Sequence, residues 1–436
     1  MLRHQCQIPS RLKVVAWVTL VVTTLALHDY ASAEVNLSVG ATAGYTSNLL
    51  RVPDGEDDFP VALGVTGTWI ETTRHLSADV EGAVHAIKYV EGRFEDDEVL
   101  GRLDGSVIWW AVPEEVAWVL ENVYGQVTID PFSPIGPANR QNTNFLSTGP
   151  DWYIPIGERT RVYLGGRFGS AWYENTEDDS ERLLGIVGID RAVTSSTRLG
   201  VEGSTESVDY ESAVQPDFDR SEAYVRYEYT RDEEYGLTVN AGCTWQSSDA
   251  DDRSAPLLEV LLSRPLSTNV DLQLEFFSRF SDAGVDFAAG GLPGSVLGTD
   301  PGVISSGGPF EVRGGRGVIE FEQPRTTLGF AVGVADEMYE TVTLDRQRLD
   351  ARLSAERRMT PRMTGLASVQ WTKSEYESDG QDREDTDSEY RLELRRELGR
   401  HSSLSVVGLY ASRSSDDPLN EYDEIRSYVT FDYSLR

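Results

Sequence analysis

The sequence predicts an all-β protein, a transmembrane antiparallel up-and-down β-barrel of about 20 strands, within the range of roughly 18–20. Apolar and polar residues alternate with a period of two, and very short turns alternate with longer acidic loops. The first copy of this alternating unit is Glu34 to Thr46. In it, Val35 and Leu37 lie on one face, and Asn36 and Ser38 lie on the other. No helical period fits this alternation.

A secretory leader precedes the first copy. Three basic residues come before an apolar run over 14–27, and the small residues Ala31-Ser32-Ala33 form a cleavage site. We therefore predict a signal peptide over 1–33 and an outer-membrane β-barrel over 34–436. Beyond the leader, no apolar run approaches the roughly 20 residues that a membrane helix needs.

The composition excludes several classes of protein. The chain has 39 basic and 72 acidic residues, a formal net charge of −33, which makes nucleic acid an unfavourable partner. Removal of the leader with Cys6 leaves only Cys243, so no disulfide forms within the mature chain. Cys243 continues an apolar row and is predicted to pack there. Lys88 and Lys373 are the only lysines after the leader, so nearly all positive charge is arginine.

The connections predict how the barrel sits in the membrane. Tight connections such as 112–115, 155–158 and 323–325 follow even-numbered strands and are typical of periplasmic turns. Longer acidic segments such as 55–58 and 375–387 follow odd-numbered strands and are predicted to be cell-surface loops. An even strand number places both termini on the periplasmic side. All eight mature tryptophans fall near strand ends, the level of the lipid headgroups. A soluble sandwich or propeller that buries the indoles is the alternative.

The polar face becomes the lumen if the apolar face meets lipid. It carries arginines and carboxylates, which either pair across strands or form a track along which a hydrated, hydroxyl-rich or anionic polymer slides. The strand over 346–356 is the richest in arginine, and its arginines are expected to be wet and dispensable for folding. The pore-lining candidates are Arg159, Arg161, Arg167, Arg198, Arg226, Arg279, Arg346, Arg348, Arg352, Arg391 and Arg395.

Two loops are candidates for limiting leakage through so wide a lumen. The longest connection, 281–309, is rich in glycine and poor in charge, so it either folds inward as a constriction or is an ordinary surface loop. The segment 128–143 contains Pro131, Pro134 and Pro137, which stiffen it as a lid or a packed cap.

The sequence indicates neither an enzyme nor a cofactor site. Asp79, Glu81 and His85 share the polar face of one strand, but no serine in a nucleophile context accompanies them. The acidic groups at 249–252 and 382–387 do not match the spacing of a calcium-binding loop, so no metal site is predicted. Solvation, or bridging to lipopolysaccharide through divalent ions, is the expected role of the acidic loops.

Two short motifs resemble a known family. They are Gly44-Tyr45-Thr46-Ser47-Asn48-Leu49-Leu50-Arg51-Val52-Pro53 and Asn139-Arg140-Gln141-Asn142-Thr143-Asn144-Phe145-Leu146-Ser147-Thr148-Gly149-Pro150. Both are similar to outer-membrane β-barrels that accompany exopolysaccharide biosynthesis and the exosortase, or PEP-CTERM, sorting system. The resemblance implies export of a polysaccharide across the outer membrane of a Gram-negative bacterium, and it brings no catalytic or binding residues with it.

Three functions therefore stay open. The first is an export channel for an exopolysaccharide, fed by periplasmic export components. The second is a general or solute-selective porin. The third is a non-conducting structural or adhesive surface barrel. All three imply contact with outer-membrane lipid, lipopolysaccharide and the barrel-assembly machinery.

Overall fold

The protein, seen in a computed structural model, is a closed antiparallel β-barrel. The structure describes residues 33–435 except 95–96, 213–214, 232–234, 249–251, 290–307, 340–343 and 378–381, so the predicted leader lies outside the described residues. Twenty strands form one sheet in which neighbours in sequence pair, and β1 pairs with β20 to close it. The predicted fold class is confirmed.

The strands are long enough to cross the membrane at a tilt. Their bounds are β1 Glu34–Thr46, β2 Pro60–Thr72, β3 Leu76–Tyr89, β4 Glu98–Val112, β5 Val116–Thr128, β6 Arg140–Ile156, β7 Thr160–Tyr173, β8 Ser180–Ala192, β9 Thr197–Tyr210, β10 Phe218–Arg231, β11 Tyr235–Ser248, β12 Asp252–Ser267, β13 Val270–Ser281, β14 Phe310–Gln323, β15 Thr326–Tyr339, β16 Asp345–Thr360, β17 Met363–Glu377, β18 Arg383–Glu397, β19 Ser402–Ser415 and β20 Tyr422–Ser434.

Most connections alternate as predicted, with short turns after even-numbered strands and longer loops after odd-numbered strands, but only residues 249–251 separate β11 from β12. Only residues 113–115 separate β4 from β5, whereas residues 282–309 separate β13 from β14. One seven-residue α-helix, α1 (Ala283–Ala289), follows β13. No helix among the described residues combines the length and apolar character that crossing a membrane requires.

The outward face is an apolar belt. Leu63, Leu183 and Leu392 are each about two-thirds exposed (66%, 66% and 68%), a state that water would penalise and lipid would not. A soluble sandwich would bury these rows, so that alternative is wrong. The Cys243 side chain lies exposed on this belt rather than packed in a core.

The inward face is polar and aromatic. One tryptophan departs from the expected headgroup level, because Trp110 faces the lumen and lies 5.8 Å from the Tyr153 ring, centroid to centroid. Alternation places Trp110 on the same side as Arg102 and Leu100, whereas its neighbour Trp109 is exposed to lipid.

Candidate functional site in the barrel lumen

Most of the predicted lumen arginines are held in ion pairs. Arg167 donates to both oxygens of the Asp151 carboxylate, at 2.7 and 2.9 Å. Ion pairs also join Arg161 to Asp190, Arg198 to Asp190 and Glu228, Arg226 to Glu202, Arg279 to Glu259, and Arg391 to Glu393. For these residues the structure shows cross-strand or same-strand pairing.

The arginine row of β16 changes character with depth. Arg346, near the cell-surface end, is buried and donates to both oxygens of Glu337 at 3.0 and 2.7 Å. Arg348 lies 3.8 Å from Asp350, and Arg352, in the middle of the strand, is exposed. The expectation that the whole row is wet is therefore wrong for Arg346, because a neighbouring strand supplies a carboxylate and the mouth of the barrel is covered.

Besides Arg358 near the periplasmic end of β16, three exposed lumen arginines form no ion pair with any residue that the structure describes. Two of them, Arg352 and Arg395, were predicted, and the third, Arg316 on β14, was missed although its strand alternates Arg316 with outward-facing Ile319 and Phe321. They lie on β14, β16 and β18, a sector that we call the arginine wall. Arg159 was expected on this polar face, but it lies in the turn before β7.

The opposite side of the lumen is acidic. Asp79 on β3 and Asp104 on β4 are exposed to the lumen and, within the described part of the chain, form no ion pair. Strand β4 stands ten positions from β14 and six from β18 in the ring of 20, so these carboxylates lie opposite the β14 end of the arginine wall. An anionic solute is attracted to one wall and repelled by the other.

The hairpin of β5 and β6 leaves the barrel wall and bends over the cell-surface opening. Pairing between β4 and β5 stops at Leu103 and Tyr124, whereas β5 and β6 stay paired as far as Thr128 and Arg140. The connecting residues 129–139, the mouth loop, therefore project from the free end of this hairpin across the lumen.

The mouth loop reaches the far side of the barrel. The Phe132 ring lies 5.2 Å from the Tyr376 ring of β17, centroid to centroid, and the Tyr376 hydroxyl donates to the Pro131 carbonyl at 3.3 Å. Strand β17 is eight positions from β5 around the shorter arc. The segment with three prolines is thus a packed cap. Two cavities of about 30 and about 40 Å³ remain beneath it, room for a few water molecules.

Side-chain amides replace the backbone pairing that β4 loses. Gln126 donates from Nε2 to the Gly101 carbonyl at 2.7 Å, and Asn142 donates from Nδ2 to the Val99 carbonyl at 3.1 Å. Buried carbonyls without partners are costly, so these amides stabilise the bent position of the hairpin.

The second sequence motif shapes and anchors the mouth loop. Asn139 donates from Nδ2 to the Asp130 and Ser133 carbonyls at 2.8 and 2.9 Å, which closes the loop on itself. Arg140 donates to both carboxylate oxygens of Glu98 on β4 at 3.0 and 2.6 Å. Gln141, almost fully buried, accepts from the backbone of the β7–β8 connection.

The first motif binds the other end of the same loop. Arg51, in the left-handed region at φ 56°, donates from Nη1 to the Ile135 carbonyl at 2.7 Å and from Nε to Glu424 of β20 at 2.9 Å. Asn48 closes the turn that contains Arg51, because its side-chain amide donates to the Val52 carbonyl and accepts from the Val52 amide. Both motifs that carry the family resemblance therefore converge on the mouth loop.

Helix α1 is a second segment folded into the lumen. Asp282, which is fully buried, caps the helix by accepting from the Gly284 and Val285 amides at 3.0 and 3.2 Å. Its other contacts are to Arg182, at 2.9 Å from Nη1, and to Arg220, at 3.8 Å. For residues 282–289 the inward alternative is correct. Residues 290–307 of this connection lie outside the described residues.

Two neighbouring residues of α1 interact with different sides of the barrel. Phe287 packs with Val123, Val127, Ala171 and Tyr173 on β5 and β7. The preceding residue, Asp286, interacts electrostatically with charged groups on the other side, namely Glu337 on β15, Arg279 on β13, and Arg346 and Arg348 on β16. Removal from water, together with Glu337, raises the pKa of the Asp286 carboxyl to about 6.

Several of the acidic groups that the sequence singled out are held in ion pairs. Glu81 contacts Arg102, while Asp385 and Asp387 contact Arg383 and Arg413. No set of three metal-ligating side chains is arranged to hold an ion in the described ranges.

The sequence matches no protein-family model and no curated protein sequence. Several solved barrels are similar in shape. OccK2 (OpdF) of Pseudomonas aeruginosa in complex with glucuronate shares 12% identity over 92% of this chain and 99% of its own, with a TM-score of 0.45. OccAB3 of Acinetobacter baumannii shares 9% over 92% and 100%, with 0.43, and a mutant ferric enterobactin receptor (PfeA) of P. aeruginosa with enterobactin shares 10% over 93% and 82%, with 0.46. Identities this low do not indicate a shared function.

Proposed function

We propose that this barrel is an outer-membrane channel that exports an anionic exopolysaccharide, with the mouth loop and α1 limiting leakage. The observation that carries the proposal is the arginine wall, three exposed cations without ion pairs in an acidic protein. A carboxylate partner in the barrel would hold each of these arginines in place. Without such a partner, they exchange hydrogen bonds with a passing polymer.

The geometry favours passage of the polymer over its tight binding in the lumen. The wall arginines are on separate strands and exposed, so each binds one charged group weakly, and Asp79 and Asp104, which lie opposite β14, repel a polymer that would otherwise bridge the lumen. The resemblance of both mouth motifs to barrels of exopolysaccharide systems supports the same substrate class. Periplasmic export components would supply the polymer, and the barrel-assembly machinery would insert the chain.

The test compares secretion by matched variants in a host that makes the polymer. Replacement of Arg316, Arg352 and Arg395 with serine should reduce secreted polysaccharide severalfold at equal amounts of folded barrel. The control is Arg191→Ser, which removes an exposed arginine from the outward row of β8. Normal secretion by the triple variant would overturn the proposal. Loss of small-solute uptake alone would identify a porin instead, and a purified barrel without conductance in any variant would identify a surface protein.

A further inference from the structure

Exposed arginines are concentrated on one arc of the periplasmic rim. The three consecutive turns after β14, β16 and β18 each carry one, namely Arg325, Arg362 and Arg400. The adjoining strand ends add Arg357, Arg358 and Arg396, which are also exposed. None of these six forms an ion pair with a described residue. We call them the rim arginines.

Other described turns of the periplasmic rim differ in charge. The β4–β5 turn carries Glu114 and Glu115, and the β6–β7 turn places Glu158 beside Arg159, so its charges cancel. The rim arginines outnumber the carboxylates on the same strand ends, Glu322, Glu356 and Glu397. The β2–β3 turn carries one exposed arginine, Arg74, so the arc from β14 to β19 is distinguished by its density of positive charge in a chain whose net charge is −33.

This arc lies directly below the arginine wall. Arg395 on the lumen side of β18 is next to Arg396 at the rim, and Arg352 on β16 is followed by Arg358, also on the lumen side of that strand. The same three strands thus carry cations from the periplasmic turns to the middle of the lumen. Arginines that bind lipid headgroups would instead be expected on the outward face of the barrel. Of the rim arginines on strands, Arg357 and Arg396 point outward and Arg358 points to the lumen.

We infer that the rim arginines capture a polyanionic saccharide in the periplasm and deliver it to the arginine wall. This inference rests on the proposed function and adds its direction of loading and the charge of its substrate. Exposed arginines give weak, exchangeable contacts, and a positive patch at the entrance of a low-dielectric channel raises the rate at which an anion enters. The substrate class is a polysaccharide bearing oxyanions, since the planar guanidinium matches carboxylate and phosphate.

The test measures entry into single full-length barrels in a planar bilayer of neutral lipid. Polyuronate oligosaccharides are added to either side, and the frequency and duration of current blocks are recorded. Arg325→Ser/Arg362→Ser/Arg400→Ser should lower the frequency of blocks from the periplasmic side about tenfold and leave block duration and entry from the cell-surface side unchanged. The difference should disappear near 1 M salt, where charges are screened within about 3 Å.

The matched control is Arg74→Ser/Arg159→Ser, which removes exposed arginines from two other turns of the same rim and should leave the frequency unchanged. Neutral dextran oligomers should not distinguish the variants. An unchanged frequency in the triple variant, or an equal loss in the control, overturns the inference. So does a loss that appears only with phosphatidylglycerol in the bilayer, which would identify lipid as the ligand. If wild-type barrels show no block with any anionic oligomer, the proposed function fails as well, whereas blocks that depend on Arg352 but not on the rim leave it standing.

Discussion

Arg51 donates a hydrogen bond to the carbonyl oxygen of Ile135, 84 residues further along the chain, at 2.7 Å. The contact ties the loop after β1 to the mouth loop after β5. The mouth loop is therefore held at two points, by Arg51 at Ile135 and by Tyr376 at Pro131. Because Arg51 also binds Glu424 on β20, the latch is anchored to the seam that closes the barrel.

Replacement of Arg51 with asparagine should loosen the mouth loop without unfolding the barrel. Asparagine tolerates the left-handed backbone at this position, and Glu424 keeps Arg426 as a partner at 3.1 Å. Loss of a charged hydrogen bond costs about 1.5–3 kcal/mol, so the open fraction in single-channel records should rise about tenfold or more. Arg93→Asn removes an exposed pair with Glu56 and should have no effect. Equal records for both variants would contradict the latch.

A cross-link between the mouth loop and β17 should close the channel. In a Cys243→Ser background, Phe132→Cys and Tyr376→Cys place two thiols where the wild-type rings lie 5.2 Å apart. Oxidation or a short bifunctional thiol reagent should stop polymer secretion and lower conductance, and reduction of the disulfide should restore both. Each single cysteine variant is its own control. Secretion that continues through a fully cross-linked barrel would show that the loop does not lie in the path.

Conductance should depend on pH through Asp286. Its pKa of about 6 with α1 docked, against an ordinary value of 3.8, means that the neutral form is favoured in the lumen. Docking is therefore strongest at low pH, weakens as pH rises from about 4 to 6, and stays constant above that range. Glu337 opposes the ionised form, while Arg279, Arg346 and Arg348 favour it. Conductance should be lowest near pH 4 and level off above pH 6, and Asp286→Asn should flatten the curve. An identical curve for the variant would exclude this carboxyl as the cause.

Arg346 and Arg352 should respond differently to the same substitution. Arg346→Ser leaves Glu337 buried without its bidentate partner, at a cost of about 3–5 kcal/mol. Arg352→Ser removes an exposed side chain and should change stability by about 0.5 kcal/mol or less. The measurement is the temperature at which the compact band of the folded barrel is lost during electrophoresis. Glu337→Gln combined with Arg346→Met should recover much of the loss. Equal melting of the two single variants would show that the row is uniform.

Alternation in the sequence predicts on which face a side chain lies, but it does not predict what covers the side chain. The strands, the two classes of connection and the inward side of the β16 row all follow from period-two patterning and turn residues. The burial of Arg346 does not, because it depends on Glu337 and on segments that arrive from elsewhere in the chain.

The mouth was predictable only in part, for a related reason. Three prolines in 128–143 indicate a stiff cap, and glycine in 281–309 leaves an inward fold open. The contacts that settle both positions are non-local. Arg51 with Ile135 and Asp282 with Arg182 join segments 84 and 100 residues apart, and no local period encodes such pairs.

The way the β5–β6 hairpin leaves β4 keeps the backbone cost of gating small. The β3–β4 and β5–β6 ladders both stay intact while the hairpin is bent, and the carbonyls of Val99 and Gly101, which β5 leaves without backbone partners, accept from two amide side chains. Straightening the hairpin exchanges those two hydrogen bonds for backbone bonds of similar strength, about 1 kcal/mol each, which leaves the contacts of Arg51 and Tyr376 as the main cost of opening. The barrel can thus open its mouth without unzipping its wall, on the microsecond-to-millisecond timescale of loop and hinge motions, so a polymer already captured need not wait for a slow structural step.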